Sequence, residues 1–300
     1  MDNRGLKNYL TERRGEVDHF LHTYLPGPKC DPPLLHEAIR YSLFAGGKRL
    51  RPILCLAAAE SVGGQRTAAL PYAAALELIH TYSLVHDDLP AMDDDSYRRG
   101  KLTNHKMFGE GTAILAGDAL LTAAFTLMAE KGSTGTLSPK KVLSVILEVG
   151  SAAGSAGMVG GQLVDIESQG KKEIDPDRLE YIHTRKTGAL IRASVRIGGI
   201  VGGGSPKKLS HLTRYGEGVG LAFQIADDIL DVEGKSEEMG KSVGQDREKE
   251  KWTYPRLVGP ERAKKEAEIL VEKAIAEIEG FGPPAEPLRS LARYMIERRK

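Results

Sequence analysis

Asp87-Asp88 with Asp93, and Asp227-Asp228 with Asp231, lie in separate halves of the chain, each inside an apolar, helix-forming stretch. Carboxylates held among apolar residues need cations close by. Hard oxygen donors of this kind suit Mg²⁺, which usually shares its coordination sphere with water and substrate phosphates. Asp87, Asp88, Asp93, Asp227 and Asp231 are therefore the metal candidates, and the substrate they imply carries phosphate. Cationic residues are gathered locally, at Lys48-Arg49-Leu50-Arg51, at Arg98-Arg99-Gly100-Lys101 and at Arg298-Arg299-Lys300, while the 300-residue chain has a formal charge of only +1. That balance argues against a duplex nucleic-acid binder and for discrete anion sites on a small ligand.

The spacing says how such groups would be positioned. Gln224, Asp227, Asp228 and Asp231 form one stripe of a helix, as do His80, Ser83 and Asp87. A charged stripe also describes a solvated helix face, but Leu221, Ala222, Ile225, Ala226, Ile229 and Leu230 surround the second one. Asp93 does not follow from rotation alone. Six residues turn a helix by ~600° and Pro90 lacks a backbone donor, so the helix must unwind after Asp87 for Asp93 to meet the same ion. The plainer use of Asp93 to Asp95 is pairing with Arg98 and Arg99.

Gly46-Gly47 reads as a turn entering a helix with Pro52 in its first turn. Lys48 and Arg51 there oppose the helix dipole unless an anion is bound, which predicts a phosphate site. Lys186 falls on a helical face with Leu179, Ile182, Leu190, Ala193 and Ile197, where an ammonium requires a counter-charge. Thr187-Gly188 beside it presents a hydroxyl, and Gly160-Gly161-Gln162 with Asp165 predicts close helix packing around two polar side chains. His86 reads as a structural imidazole, and Met92 and Met107 as core.

The elements that must hold these groups are helices. Apolar spacing near three and four, without alternating blocks bounded by hairpin turns, predicts an all-α chain. Pro26-Gly27-Pro28, Gly63-Gly64, Gly132 to Pro139, Gly170 to Pro176, Gly202 to Pro206, Gly234 to Gly244 and Gly280 to Pro287 cut it into helix-sized lengths. None of these is a convincing domain linker, so residues 1–300 read as a single domain, and 41% hydrophobic residues suffice for a substantial core. Cys30 and Cys55 are too few for a disulfide framework and lack zinc-site spacing. Met1 to Leu25 lacks a signal-peptide run and no stretch approaches ~20 uninterrupted apolar residues, so a cytoplasmic protein without stable membrane insertion is expected.

Taken together and in this order, the motifs resemble those of the trans-isoprenyl diphosphate synthases over nearly the whole length. They are Gly46-Gly47-Lys48-Arg49-Leu50-Arg51-Pro52, the long aspartate motif from Asp87 to Asp93 followed by Arg98-Arg99-Gly100, Gly161-Gln162 with Asp165, Lys186-Thr187, Gln224 with Asp227-Asp228 and Asp231, and Lys241 with Lys251. The resemblance implies an antiparallel helical bundle around a central cavity, the isoprenoid synthase fold, usually as a homodimer. It also implies that Asp87 and Asp93 on one wall and Asp227 on the other hold about three Mg²⁺ ions on an allylic diphosphate. Arg98, Lys186, Lys241 and Lys251 would complete that site, and Lys48, Arg51, His80 and Arg99 would hold isopentenyl diphosphate. Lys186, Thr187 and Gln224 are the implied catalytic group, since oxygen dipoles can stabilise an allylic cation without trapping it.

Two departures stand out. Ser96-Tyr97 occupies the place where an Asp-Leu pair is more usual, and Trp252 before Thr253-Tyr254-Pro255 is less common. Tyr82, with Ser83 beside it, is the candidate floor of the cavity, and an aromatic there resembles bacterial farnesyl diphosphate synthases. The expectation is therefore head-to-tail addition of isopentenyl diphosphate to dimethylallyl and geranyl diphosphates, giving farnesyl diphosphate. Geranylgeranyl diphosphate synthase is the alternative. A terpene cyclase would lack the second basic site, and a non-catalytic regulatory subunit would be expected to lose an aspartate cluster.

Overall fold

Glycine and proline cut the chain where they interrupt the apolar rhythm, and what lies between is helix. The computed structural model describes residues 1–135, 137–171, 173–233 and 252–297. Lys241, Lys251 and Arg298 to Lys300 lie outside the described residues. In chain order come α1 (Asn3–Tyr24), α2 (Pro33–Leu43), α3 (Leu50–Ser61) and α4 (Arg66–Asp87). After these follow α5 (Asn104–Phe108), α6 (Glu110–Thr134), α7 (Pro139–Ala153), α8 (Met158–Ser168), α9 (Pro176–Ile182), α10 (Ala189–Val201) and α11 (Pro206–Glu233). A π-helix, His183–Gly188, joins α9 to α10, and the helices Tyr254–Val258, Pro260–Glu277 and Glu286–Glu297 close the chain.

One small antiparallel ladder, Tyr97–Arg98 with Lys101–Leu102, departs from the all-α expectation. Its arms are two residues long, too short to leave an alternating pattern. Arg99 and Gly100 at its tip have φ of 54° and 74°, the positive values that a two-residue hairpin turn of the favoured twist requires.

The helices bury two apolar clusters that share α3 and α10. Cys55, Leu56 and Ala59 of α3, with Leu190, Ala193 and Ile197 of α10, join α4, α6 and α7 in the first cluster. Ile53, Leu54 and Ala57, with Ile191 and Val195, face α11 and the helices Pro260–Glu277 and Glu286–Glu297 in the second. A helix apolar all round belongs in the middle of a bundle. Gly198 lets the two approach, because a Cβ there would lie 2.1 Å from the Cys55 carbonyl oxygen. Each leucine fully buried in these clusters contributes about 1.5–3 kcal/mol of transfer free energy.

Glu110–Gly132 and Pro139–Ser168 are long and apolar enough, by composition, to cross a membrane. Neither is an uninterrupted apolar run, since Asp118 and Glu148 lie within them. Packing covers one side of each: Ala113, Ala116, Leu120 and Leu127 of α6 and Val145 and Val149 of α7 are buried in the first cluster. On the outer side Ile114 and Leu115 of α6 and Leu143 and Leu147 of α7 stay exposed.

Candidate active site

The first aspartate wall forms where α4 ends. Past Asp87 the chain leaves the helix and folds back, so that the Asp93 amide donates to the Asp87 carbonyl at 2.8 Å and the Asp94 amide to the Leu89 carbonyl at 3.1 Å. Asp94 takes a left-handed φ of 48° to complete the return. This is the unwinding that Pro90 and the six-residue spacing demand, and it sets Asp93 beside Asp87. Burial pushes the Asp87 carboxyl up to about 6; Lys186 and Arg98 pull it down, and Asp93 and Asp88 raise it further.

Asp88 differs from its neighbour. Adjacent helical residues point ~100° apart, so Asp87 and Asp88 cannot look at the same ion. Asp88 is buried, and its Oδ1 accepts from Arg98 Nε at 2.7 Å and Nη2 at 2.6 Å. The carboxylate of Asp88, a metal candidate by sequence, holds the guanidinium of Arg98 through Oδ1. Asp95, also buried, adds a longer contact of 3.6 Å to the same group.

The second wall is α11 packed against the π-helix. Gly188 and Gly220 let the two backbones meet, since a Cβ on Gly220 would lie 2.9 Å from the Gly188 Cα. Thr187 donates from Oγ1 to Gln224 Oε1 at 2.7 Å, and Gln224 Nε2 donates to Asp228 Oδ1 at 3.2 Å. Asp228 is buried, and its Oδ2 accepts from the Tyr254 amide at 2.7 Å and lies 3.2 Å from His183 Nε2. Asp227 and Asp231, on the same helix, are partly exposed. Lys186 Nζ reaches Asp165 Oδ2 at 2.6 Å, which identifies the required counter-charge. Gly161 makes room for this contact between α8 and the π-helix, because a Cβ there would lie 2.3 Å from the Lys186 nitrogen.

The basic site gathers around His80. Burial, then Arg51, Arg99, Arg98 and Arg49, hold its imidazole well below the usual value, so it is neutral. Arg99 is itself lowered by burial and by Arg49 and Arg98, although Glu77 and Asp88 oppose this. Such crowding of guanidinium groups is what an anion relieves. Sequence reasoning missed Arg49, which lies between the two predicted phosphate ligands Lys48 and Arg51. Its φ is 54° and its side chain is buried, donating to Asp18, Glu77, Gly46 O and Leu43 O. Arg49 is thus the clamp of the Gly46-Gly47 loop, and Arg99 also donates to the Gly46 carbonyl. Lys48 lines a surface hollow with Leu10, Thr11, Arg14, Leu50 and Tyr294.

Below the first wall, Tyr82 is buried in the first cluster with its ring edge-on to His86 at 5.8 Å. Burial and then Asp87 push its hydroxyl up to about 12. Ser83 spends its hydroxyl on the His80 carbonyl, within the helix. His86 Nε2 lies 3.0 Å from the Ile114 carbonyl and fills the space above Gly117, a structural role. Of the two departures, Tyr97 is an exposed ladder residue and Trp252 Nε1 donates to the Lys171 carbonyl.

Among the described residues, no three His, Cys, Asp or Glu side chains converge into a preformed metal cage. The donor set nevertheless fits Mg²⁺, which binds through one or two carboxylates plus substrate phosphates and water. Asp87, whose charge is opposed by burial and by two neighbouring carboxylates, is a donor that a divalent cation would relieve.

The chain matches the polyprenyl synthetase family over residues 32–280. It is 47% identical over 296 residues to a geranylgeranyl diphosphate synthase of Cyanophora paradoxa, covering 99% of this chain and 97% of that protein. Among solved structures, an FPP/GFPP synthase from Zymomonas mobilis is 38% identical with a TM-score of 0.86, covering 97% of this chain and 99% of the other. A geranyltransferase from Helicobacter pylori, solved with magnesium and isoprenyl diphosphate, is 31% identical with a TM-score of 0.85 and covers 99% of both chains.

Proposed function

The chain belongs to the polyprenyl synthetase family, and from that premise we propose that this prenyltransferase joins isopentenyl diphosphate head to tail to an allylic diphosphate. Its all-α isoprenoid synthase fold is that of its solved relatives. The observation that carries the reading is the pairing of two unlike sites: a cluster of arginines around neutral His80, and a carboxylate pair at Asp87 and Asp93 in which burial and mutual repulsion outweigh the nearby Lys186 and Arg98 at Asp87. One site suits a bare diphosphate, the other a diphosphate that arrives with metal.

In this reading Mg²⁺, about three ions held by Asp87, Asp93 and Asp227 with Asp231 nearby, supplies Lewis-acid stabilisation of the leaving diphosphate. Lys186, fixed by Asp165, and Arg98, fixed by Asp88, add their charge to the same end. Breaking the allylic C–O bond sends the electron pair out with the diphosphate. Thr187 and Gln224 then offer oxygen lone pairs to the carbon end, where a full negative charge would collapse onto the cation. His80, Arg51, Arg99 and Lys48 hold isopentenyl diphosphate so that its double bond attacks from a fixed distance. The new C–C bond leaves a tertiary cation, which loses a proton to the departed diphosphate.

For product length, the proposal is twenty carbons, supported by the name of the Cyanophora relative. A fifteen-carbon product is the second reading, favoured by the buried aromatic Tyr82 five positions before Asp87. We also take 1–300 as one domain, supported by the span of the family match, and a second copy of this chain as the partner of the exposed Ile114, Leu115, Leu143 and Leu147 face. The free thiols of Cys30 and Cys55 support a reducing, cytoplasmic setting.

The test is incubation of the protein with Mg²⁺, isopentenyl diphosphate and, separately, dimethylallyl, geranyl or farnesyl diphosphate, with products resolved by length. Extension of farnesyl diphosphate is expected; its accumulation without extension would move the product to fifteen carbons. Tyr82→Ala should then lengthen the product. No condensation with any primer would overturn the proposal.

A further inference from the structure

Two positions that no role above uses, His183 and Asp228, complete a ladder behind the cation-facing pair. On the π-helix His183 and Thr187 are one turn apart, and on α11 so are Gln224 and Asp228. The helices face one another so that His183 meets Asp228 while Thr187 meets Gln224, and the Gln224–Asp228 bond joins the two rungs.

This arrangement decides which way the Gln224 amide points. A side-chain amide has two nearly isosteric ends, one donor and one acceptor. The Asp228 oxygens accept, Oδ2 from the Tyr254 amide and Oδ1 from the side-chain amide, so the NH₂ end faces Asp228 and the oxygen faces Thr187. Flipping the amide would place its oxygen against Asp228 and its NH₂ towards Thr187, turning a positive edge to the place where positive charge develops. The constraint is only as firm as Asp228 itself. Tyr254 N–H and His183 Nε2 hold that carboxylate from two sides. Nε2 faces the carboxylate and therefore carries the proton. The other ring nitrogen, Nδ1, is buried without a hydrogen-bond partner among the described residues, a smaller penalty for a bare lone pair than for an orphaned N–H.

We propose that His183 and Asp228 are positioning residues that lock the Gln224 amide with its oxygen towards Thr187 and the reacting carbon. The inference rests on the reading of Gln224 as a cation-stabilising group. It predicts a particular kinetic signature: the bond-breaking step slows while both diphosphates, bound by other residues, keep their affinity. A merely structural role would instead lower stability or raise KM.

The experiment compares His183→Leu, His183→Gln and Gln224→Leu in the full chain, with kcat, KM for both diphosphates and Tm measured for each. His183→Leu removes the donor and should lower kcat by at least about tenfold with both KM values within about twofold. His183→Gln, which can place an N–H near the Nε2 position, should restore most of the loss. If His183→Leu does not fold, Asp228→Asn gives the same readout, because an asparagine can pair with either end of the amide. Unchanged kcat in His183→Leu beside a slow Gln224→Leu overturns the lock and leaves the reading of Gln224 standing. Unchanged kcat in Gln224→Leu removes both, and a loss in His183→Leu that His183→Gln does not restore makes His183 structural.

Discussion

The two aspartate walls share a plan and differ in how they are closed from behind. On each, an outer carboxylate, Asp87 or Asp227, is partly exposed, and the next residue, Asp88 or Asp228, is buried. Asp88 is satisfied by the guanidinium of Arg98, a full positive charge. Asp228 is satisfied by an amide NH₂, a backbone N–H and an imidazole nitrogen. In the proposed reaction the difference follows from what each wall would serve. A cation behind the first wall adds to the field that draws off a leaving diphosphate. The same cation behind the second wall would oppose the charge developing beside Gln224 and Thr187, so dipoles close it instead. One buried carboxylate anchors charge, and the other anchors orientation.

Breaking the outer carboxylates should have the largest effect. Asp87→Ala and Asp227→Ala each remove a proposed metal donor and should lower kcat by roughly a thousandfold, a loss of several kcal/mol of leaving-group stabilisation. KM for isopentenyl diphosphate, bound at the basic site, should stay within a few-fold in steady-state kinetics. If one wall tolerates its substitution, the symmetry of the outer pair is wrong.

The inner carboxylates should separate the walls. Asp88→Asn removes the nearer carboxylate from a buried guanidinium and leaves only the longer contact to Asp95, which costs up to about 3–5 kcal/mol of stability. Chemical denaturation should show that loss. Asp228→Asn replaces one hydrogen-bonding oxygen among an amide, a backbone N–H and an imidazole and should cost less than half as much, with its main effect on turnover. Equal stability losses would erase the distinction between charge closure and dipole closure.

The sequence made the stripes legible and left their facing open. Spacing alone put Gln224, Asp227, Asp228 and Asp231 on one side of a helix, and the demand for unwinding after Asp87 followed from Pro90 and six residues of rotation. Which of two adjacent aspartates looks inward depends on Arg98, ten residues on, and on His183, forty-five residues back, and no local rule reaches that far. The His183 and Thr187 interval does match that of Gln224 and Asp228, so a signal existed. It could be read only once the two helices were known to pack face to face. Arg49 hid for another reason: it sits between two residues chosen as phosphate ligands, and its left-handed backbone, which turns it inward, is invisible to periodicity.

Proton competition gives a smaller test of the first wall. Burial pushes the Asp87 carboxyl up to about 6, against ~3.9 for an unperturbed aspartate. The folded chain therefore binds this proton more tightly than the unfolded chain. Its contribution to stability is present below the unfolded value, is lost as pH rises through the window, and is fully lost above about 6. Mg²⁺ at this carboxylate offsets the loss. Thermal melts with and without Mg²⁺ should show a larger gain in Tm at pH 8 than at pH 5. Equal gains would mean that Asp87 does not meet the ion, and would move the metal towards Asp227 and Asp231.

The smallest expected effect concerns Lys186, which stands between the walls. Its Nζ is held by Asp165 from α8, its side chain is 23% exposed and that of Asp165 16%, and Lys186 also lowers the Asp87 carboxyl. A partly solvated pair of this kind is worth about 1 kcal/mol. Asp165→Asn keeps a hydrogen-bond acceptor while removing the charge, so Lys186 stays near its place with more freedom. KM for the allylic primer should rise a few-fold, with kcat and KM for isopentenyl diphosphate little changed. If kcat falls as far as in His183→Leu, Lys186 belongs to the orientation wall and acts with Thr187 on the carbon end. A change confined to primer KM keeps it with Arg98, on the side of the molecule that works by charge.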